Sequence, residues 1–240
     1  MKISSMCIAY KEERFIEKHL RHLPKWIDNK LVLISRRPWF GESATEDKTY
    51  KITTEIKDKA IIPIQNVWST EHDQRNTALE FSEYNDWVIV LDPDEFLTNK
   101  DWDNLYTHLS TTTSDAVIVE GQYTYWKNGY VADPPKDYPQ LIAVRPHVRF
   151  IDKRVVNSTF DIAPVWIHHF SWARTDEEIW NKISHYAHAN DFDVKAWYNN
   201  VWKQWKPGMK DVHPTSPNTL HELIPAKLPA EIERLRLWPK

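Results

Sequence analysis

Short runs of apolar residues alternate with segments of helical periodicity through the first hundred positions of the chain. The apolar runs have the length of strands and cover residues 2–9, 30–35, 60–64 and 87–91. The helical segments between them cover residues 11–23, 47–59 and 70–84. Strands that alternate with helices in this way predict an α/β protein with a mostly parallel, doubly wound sheet. In such a sheet, ligands bind beyond the carboxyl ends of the strands, so residues that follow the apolar runs are the first candidates for a site.

Local signals mark the ends of these predicted elements. Pro24 follows the first helical segment and cannot continue it. Thr70 and Asp73 fit a capping box at the start of the third helical segment. The polar stretch 36–46 is predicted to be a loop after the second strand.

The pattern changes from Asp115 onward. Closely spaced apolar runs predict antiparallel or mixed strands over residues 117–125, 140–144, 147–151 and 165–168. Asn128 and Gly129 form a tight-turn signal within this region. Further helices are predicted over residues 176–189, 193–204 and 230–235. Because the chain contains no repeat, low-complexity tract or linker, we expect one domain over residues 1–240, with a first half (1–110), a second half (111–190) and a helical C-terminal extension (191–240).

Composition excludes several classes of protein. The 240 residues are 41% apolar, which is enough for a sizeable core and excludes a disordered chain. The 31 basic and 34 acidic residues give a formal net charge of -3, which excludes a generally basic protein that coats nucleic acid. Cys7 is the one cysteine, so neither an internal disulfide nor a cysteine-based zinc site is expected.

Aromatic residues are abundant, whereas glycine is scarce. The chain has 13 Trp and 10 Tyr but 4 Gly, where an average usage of roughly 7% would give about 17. These rings either fill a core or line a pocket for a ring-shaped ligand. No segment approaches the roughly 18 apolar residues that span a bilayer, and the N-terminal residues do not have the pattern of a signal peptide. We therefore expect no membrane span and a cytoplasmic location.

The strongest chemical signal is an acidic turn, residues 92–95, directly after the fourth apolar run. A strand that ends in Asp92 and Asp94 places two carboxylates on a rigid, solvent-facing turn. Carboxylates with open water positions suit a hard divalent cation that also binds phosphate oxygens. Taken alone, the motif also fits a polar turn in which Asp caps the bend and Pro93 fixes it. Its position after a fourth strand favours metal binding.

Residues elsewhere in the chain could complete such a site. His168 and His169 could add a neutral imidazole to the acidic ligands of a metal, although a lone histidine often has a structural role. Arg75 lies one turn into a predicted helix, where it could reach a diphosphate or form an ordinary surface pair. Asp176 lies at the start of another predicted helix, where we expect it to cap the helix first and to act as a catalytic base only second.

Four segments follow one another in an order that is more specific than any one of them. They are residues 5–13, 74–76, 91–96 and 168–170. This order resembles that of the GT-A glycosyltransferases, most closely the family-2-like branch with an Asp-x-Asp-Glu-Phe motif, and the resemblance covers roughly residues 1–190. It implies a mixed sheet flanked by helices and a donor that is a nucleotide sugar, most simply a UDP-sugar. Mn²⁺ or Mg²⁺ would hold the diphosphate of the donor.

The resemblance also implies roles for individual residues. Asp92 and Asp94 would hold the metal, with Asp92 also on the donor side. His169 would supply a later ligand because, like the family histidine, it directly precedes an aromatic residue. Arg75 would lie by the diphosphate. The nucleoside would be bordered by Ala9, Tyr10 and Glu12. On this basis the first half binds the nucleotide sugar and the second half forms the acceptor side.

One part of the family pattern is absent. Many family-2 enzymes carry an acidic residue just after the second strand, where it contacts the nucleoside. Residues 34–39 of this chain contain no acid. Arg36, Arg37 or Trp39 would then take over this contact by charge or by stacking.

The acceptor side has several candidates. An inverting transfer needs a general base for the acceptor hydroxyl, whereas a retaining transfer does not. The candidate bases are Glu95, Asp133, Asp161 and Asp176. The rings of Tyr123, Tyr125 and Trp126 could form an acceptor platform or could pack in a hairpin or core. Trp197, Trp202 and Trp205 lie at helical spacing and are predicted to be core.

Both the acceptor and the reaction class have alternatives. A glycan is the usual family acceptor, but a hydroxymethylated base in viral DNA would suit the closely spaced basic residues Arg145, Arg149, Lys153 and Arg154. The transferred group could be a hexosyl or a pentosyl group. A metal-dependent phosphoesterase or nuclease would need a denser set of ligands. A non-catalytic sugar-binding module would not need the acidic turn.

Overall fold

The computed structural model describes residues 1–41, 48–135, 140–216 and 220–239. Its strands are β1 (Ile3–Ala9), β2 (Asn29–Ser35), β3 (Ile61–Asn66), β4 (Trp87–Val90), β5 (Glu95–Phe96), β6 (Ala116–Trp126), β7 (Tyr130–Asp133), β8 (Leu141–Val144), β9 (Phe150–Asp152), β10 (Val155–Val156), β11 (Phe160–Trp172) and β12 (Glu222–Pro225). Its helices are α1 (Ile16–His22), α2 (Thr49–Glu55), α3 (Glu71–Glu80), α4 (Asn99–Thr111), α5 (Asp176–Ile183), α6 (Val194–Trp197) and α7 (Ala230–Glu233). Residues 42–46 of the predicted loop 36–46, and the predicted start of the second helix at position 47, lie outside the described residues.

A mixed sheet runs through the molecule, with its main path in the order β12-β7-β6-β8-β4-β1-β2-β3. β3, β2, β1 and β4 are parallel neighbours, which confirms the doubly wound arrangement predicted for the first hundred residues. β8 is antiparallel to both β4 and β6, and β11 lies parallel to β6. The predicted change to a mixed arrangement after Asp115 is therefore also confirmed.

The parallel strands are apolar on both faces because helices cover both faces. Successive side chains of a strand point to opposite sides of the sheet. From β1, Cys7 joins the apolar layer that contains Leu20 of α1 and Leu105 of α4, whereas Met6 joins the layer that contains Leu79 of α3. Burial on both sides explains why these strands appear in the sequence as continuous apolar runs rather than as alternating ones.

Helix α4 has no counterpart among the predicted elements. Thr98 and Asp101 form a full capping box at its start, and the helix buries Trp102, Leu105 and Leu109 against the sheet. These signals are present in the sequence, but polar residues separate the three apolar positions and weaken the pattern. None of the described helices is both long and apolar enough to cross a membrane.

Other helices are shorter than their sequence pattern predicts. α1 begins at Ile16, because the chain first makes a turn in which Lys11 has a left-handed φ of 56°. α5 ends at Ile183 rather than at position 189. The helix predicted over 193–204 consists of α6 and a π-helical turn, Tyr198–Trp202.

Tryptophan side chains form much of the core behind α5. An apolar cluster contains Trp126, Trp172, Trp197 and Trp202 together with Ile179 and Ile183 of α5, and Trp205 packs against it. The prediction that Trp197, Trp202 and Trp205 belong to the core is confirmed. Many of the rings that dominate the composition therefore stabilise the fold rather than line a pocket.

Candidate active site

Hydrogen bonds of backbone N–H groups close the acidic turn and join it to β11. The N–H of Asp92 donates to Glu95 Oε2 at 2.9 Å, and the N–H of Glu95 donates to the carbonyl of Asp92 at 2.9 Å. β5 then pairs antiparallel with β11, with Glu95 opposite His169. The N–H of Phe170 donates to the carbonyl of Asp94 at 2.8 Å. These bonds bring the late strand β11 next to the turn after β4.

Asp94 is the centre of the charged contacts. Its side chain is buried, and its Oδ2 atom accepts from Arg174 Nη2 at 2.7 Å and from Lys182 Nζ at 3.1 Å. Its Oδ1 atom lies 3.4 Å from His169 Nε2. Burial opposes ionisation of Asp94, but Lys182, His169 and Arg174 outweigh it and hold the pKa of the carboxyl well below its ordinary value. Asp94 is therefore ionised at neutral pH.

Arg174 connects the acidic turn to the segment after β1. Its Nη2 atom donates to Glu12 Oε1 at 3.0 Å and to Glu12 Oε2 at 2.9 Å, in addition to Asp94. Its guanidinium carbon lies 4.8 Å from the centre of the Phe15 ring. Burial raises the pKa of Glu12 to about 7, although Arg174 acts in the opposite direction. The sequence motifs did not indicate Arg174, whose position depends on contacts between distant segments.

Asp92 has a separate set of cationic partners. Its Oδ2 atom accepts from Arg75 Nη2 at 2.9 Å, and Arg75 also donates to Glu71 Oε1 at 2.9 Å. Burial disfavours the ionised form of Asp92, but Arg75 and Arg154 lower the pKa of this carboxyl. Arg75 Nη1 is buried and has no hydrogen-bond partner among the described residues. Arg75 and Asp92 therefore lie together, and one donor group of Arg75 has no partner among the described residues.

Glu95 is occupied by structural contacts. Its side chain is 1% exposed, and Arg154 Nη1 donates to both of its carboxylate oxygens at 2.8 Å. Gln140 Nε2 donates to Glu95 Oε1 at 3.2 Å. Oε2 also accepts the N–H of Asp92. Glu95 therefore shapes the acidic turn, and a base at this position would have no access to an acceptor.

The two neighbouring histidines have opposite environments because they lie on opposite faces of β11. His169 faces Asp94. His168 is buried on the other face, where its Nδ1 atom lies 2.7 Å from the Tyr125 hydroxyl and its ring stacks on Tyr123. Burial lowers the pKa of His168 to about 4. The choice of His169 rather than His168 as the partner of the acidic turn agrees with this geometry.

Asp94 and His169 fit a divalent cation that takes its remaining ligands from a substrate and from water. Their facing atoms are 3.4 Å apart, and ligand atoms on neighbouring octahedral positions of Mg²⁺ lie about 3 Å apart. A buried oxygen of Asp92, Oδ1, has no hydrogen-bond partner within the described ranges. Over the same ranges, no group of three or more His, Cys, Asp or Glu side chains is placed to hold a metal ion. The protein would thus supply few ligands, as is usual for sites that bind Mg²⁺ together with phosphate.

A cavity of about 900 Å³ opens over these residues, beyond the carboxyl ends of the parallel strands. Its lining includes most of the predicted donor and metal residues, namely Ala9, Tyr10, Glu12, Arg75, Asp92, Asp94 and His169. Arg36 is exposed and is absent from the described lining, whereas Arg37 and Trp39 from the same loop line the cavity. The three groups of candidates after β1, β2 and β4 therefore form one site.

The other predicted general bases lie outside the described lining of this cavity. Asp176 accepts from Trp202 Nε1 and from Lys203 Nζ, both at 2.8 Å, and so faces away from the acidic turn. Asp133 is exposed on β7. Asp161 lies at the amino end of β11, eight residues before His169, which is about 26 Å along an extended strand.

The predicted acceptor platform also faces elsewhere. Along β6, Gln122 and Thr124 line the cavity, and the alternation of the strand puts Tyr123 and Tyr125 on the opposite face. Tyr125 is 2% exposed and packs in an apolar cluster with Phe15, Phe96 and Phe170. Trp126 is buried among the tryptophans behind α5. Tyr125 and Trp126 are core side chains, and the half-buried Tyr123 packs against the cluster that contains Tyr125, which agrees with the alternative that these rings pack in a hairpin or core.

The basic residues that would permit DNA binding do not form one surface. Arg145 stacks on the Trp87 ring at 3.9 Å, at the amino end of β4, and Arg149 donates to the carbonyl of Pro146. Arg154 is buried against Glu95, beyond the carboxyl end of β4. Proximity in the sequence is thus not matched by a continuous basic patch.

Comparison with known proteins identifies the fold. No protein-family model matches the sequence, and no curated protein matches it. Among solved structures, residues 1–349 of TarS from S. aureus in complex with UDP-GlcNAc superpose with a TM-score of 0.50 and 14% identity, over 75% of this chain and 64% of that one. Glucosyl-3-phosphoglycerate synthase from Mycobacterium tuberculosis, in complex with Mn²⁺, uridine diphosphate and phosphoglyceric acid, has a TM-score of 0.39 and 17% identity, over 49% and 42% of the two chains.

The similarity to TarS concerns the fold, and this chain spans less than two thirds of the length of that structure. Together with the sheet order, it confirms the predicted mixed α/β fold of GT-A type.

Proposed function

We propose that this chain is a metal-dependent glycosyltransferase that moves a hexosyl or pentosyl group from a nucleotide-sugar donor to an acceptor hydroxyl. The observation that carries the proposal is the juxtaposition of Asp94 and His169, 3.4 Å apart, in a large cavity at the carboxyl ends of β1, β2 and β4. The UDP-GlcNAc bound to TarS, which shares the fold, supports a UDP-sugar as the donor.

The donor would lie along the strand ends. Ala9, Tyr10 and Glu12 border the nucleoside in this proposal, and the unpartnered Nη1 of Arg75 would donate to the diphosphate. Trp39 lines the same cavity and has a buried indole N–H without a partner among the described residues, so it can offer both a ring face and a donor to the base. Arg37 adds a positive charge in the place where the family often has an acid.

Asp94 and His169 would hold Mn²⁺ or Mg²⁺, which when bound neutralises the diphosphate as it departs. Arg174 and Lys182 hold Oδ2 of Asp94 and leave Oδ1 facing His169. A metal ligand must be deprotonated, and the lowered pKa of Asp94 ensures this at neutral pH. Partners that orient a ligand in this way usually contribute to metal affinity.

The acceptor would approach the wall that β6 and α5 form. Gln122 and Thr124 present polar side chains there, and two carboxylates, Asp152 and Glu177, line the cavity without an ion-pair partner among the described residues. In an inverting reaction these two are better placed to take the acceptor proton than Glu95 or Asp176, which have other partners. A glycan is the proposed acceptor, because the basic residues that would suit DNA are dispersed.

We propose that the chain acts as one domain in the cytoplasm. In this scheme residues 1–110 supply Asp94 and Arg75 to the donor side, and residues 111–190 supply His169 and the acceptor wall. The sparse set of possible ligands among the described residues makes a phosphoesterase or nuclease with two metals less suitable than a transferase.

A thermal-shift screen tests this proposal. The melting temperature would be measured with nucleotide sugars and nucleoside diphosphates, each with and without Mn²⁺. A ligand that binds only the native state raises the melting temperature, by an amount that corresponds to about 2.7 kcal/mol at 100 times Kd. We expect a metal-dependent shift with one nucleotide family, and the cognate sugar donor should then release its diphosphate. Absence of any shift would contradict the proposal.

A further inference from the structure

Lys182 differs from the other cations around the acidic turn. Within the described ranges, the cationic side chains that contact Asp92, Asp94 or Glu95 with hydrogen bonds are Arg75, Arg154, Arg174 and Lys182. The side chains of the three arginines are 1%, 9% and 3% exposed, in that order, whereas that of Lys182 is 18% exposed. Each arginine bonds a glutamate with good geometry. The arginines are therefore fixed, whereas Lys182 faces the cavity.

Lys182 can give up its contact with Asp94 without leaving that carboxylate unpaired. Its Nζ atom lies 3.1 Å from Asp94 Oδ2, 2.7 Å from Ser171 Oγ and 3.3 Å from the carbonyl of Ser171. Asp94 Oδ2 has a shorter bond, 2.7 Å, from Arg174. If the ammonium moved to another anion in the cavity, Asp94 would keep Arg174 as its partner.

The chemistry of the ammonium suits such a move. A lysine carries a compact charge with three donors on a flexible four-carbon stem, whereas a guanidinium in two ion pairs is rigid. A phosphate oxygen that gains charge beside Asp94 would attract the ammonium more strongly than a carboxylate oxygen that is already shared with Arg174. Lys182, Ser171 and Asn181 all line the cavity at this point.

We infer that Lys182 binds the sugar-bearing phosphate of the donor and stabilises it as the leaving group, exchanging its contact with Asp94 for one with that phosphate. The inference rests on the proposed function. In the transfer, the bond between the anomeric carbon and the phosphate oxygen breaks, and its electron pair stays on that oxygen. The acceptor oxygen forms the new bond to the anomeric carbon, and its proton passes to Asp152 or Glu177 in an inverting reaction, or to the departing phosphate in a retaining one. Lys182 donates a hydrogen bond to the oxygen that gains the charge.

The test compares Lys182→Met with the wild-type protein and with Lys195→Met, which removes an exposed lysine of α6 outside the described lining. Calorimetry would measure binding of UDP and of uridine in the presence of Mn²⁺, with the other common nucleoside diphosphates as parallel probes. We expect Lys182→Met to bind UDP at least about 10-fold more weakly, to bind uridine unchanged, and to lose about 100-fold in kcat with a smaller change in KM. Lys195→Met should match the wild type.

Three outcomes would overturn the inference. Unchanged UDP affinity and kcat in Lys182→Met would show that the ammonium does not touch the leaving group. A loss of Mn²⁺ affinity as large as the loss of UDP affinity, measured by electron paramagnetic resonance without nucleotide, would show that Lys182 acts only through Asp94. Failure of the wild-type protein to bind any nucleoside diphosphate would instead overturn the proposed function, and this inference with it. If Lys182→Met does not fold, Lys182→Gln keeps a donor for Ser171, removes the charge and serves the same comparison.

Discussion

The backbone N–H of Phe170 donates to the carbonyl oxygen of Asp94 at 2.8 Å, and this bond joins the two parts of the candidate site. Asp94 belongs to the turn after β4, whereas Phe170 directly follows His169 in β11. Since the bond involves only backbone atoms, it does not depend on the side chain at either position. Substitution of Asp94 or His169 should therefore leave the local backbone in place, and a loss of activity would report on the chemistry of the removed side chain.

Asp94→Asn should abolish metal-dependent nucleotide binding and lower turnover by at least about 100-fold, or ~2.7 kcal/mol, because the amide can no longer neutralise a cation. Arg174 and Lys182 would lose their shared carboxylate, so a moderate loss of stability is also expected. The rate of nucleoside diphosphate release from the cognate donor measures the first effect. Asp103→Asn, at an exposed position of α4, is the matched control. A rate equal to that of the control would remove the central claim about this site.

The adjacent histidines should respond differently to substitution. His169→Ala removes the imidazole that faces Asp94 and should weaken Mn²⁺ binding by about 10-fold to 100-fold. His168→Ala leaves the Tyr125 hydroxyl without its buried partner and should cost about 1–3 kcal/mol of stability while Mn²⁺ affinity persists. Metal titration and urea denaturation of both variants distinguish the two effects. Equal loss of metal affinity in the two variants would contradict the assignment of His169.

His168 also gives a pH dependence with a defined sign. Its pKa is about 4 in the folded protein, below the ordinary value of 6.5, because burial disfavours the imidazolium. The unfolded chain therefore binds the proton first as the pH falls, and this residue reduces stability between about pH 6.5 and pH 4, by up to roughly 3 kcal/mol. In His168→Asn this contribution is absent. The difference in unfolding free energy between wild type and variant should thus shrink on acidification, and a constant difference would contradict a buried, neutral His168.

Sequence patterns were sufficient to predict the strands that carry the residues proposed for the donor side. β1, β2 and β4 are buried on both faces, so they appear as apolar runs with sharp polar ends, and those ends are where Glu12, Arg37 and Asp94 lie. The acidic turn and His169 could be paired because their order along the chain resembles a known family. These features are either local in the sequence or can be recognised from the order of the motifs along the chain.

The acceptor side depends on longer-range geometry. β6 is covered on both faces, so its sequence does not show that Gln122 faces the cavity while Tyr123 does not; its pairing with β8 and β11 decides this. At the start of α5, one residue corresponds to about 100° of rotation, which turns Asp176 towards Trp202 and leaves Glu177 on the cavity side. The partnership of Arg174 with Asp94 spans 80 residues and has no local signature.

Glu95 and Arg154 form a buried ion pair, whereas the sequence suggested Glu95 as a general base. Arg154 bonds both carboxylate oxygens at 2.8 Å, and the two side chains are 9% and 1% exposed. Removal of one member leaves an uncompensated buried charge, so Glu95→Gln and Arg154→Met should each cost about 3–5 kcal/mol. The double variant should lose less than the sum of the two single variants, because neither charge then remains unpaired. Urea denaturation of the four proteins gives the coupling energy. Additive losses would contradict the ion pair. A Glu95→Gln variant with wild-type stability, in which turnover no longer depends on the ionisation of a basic group, would instead support Glu95 as the general base.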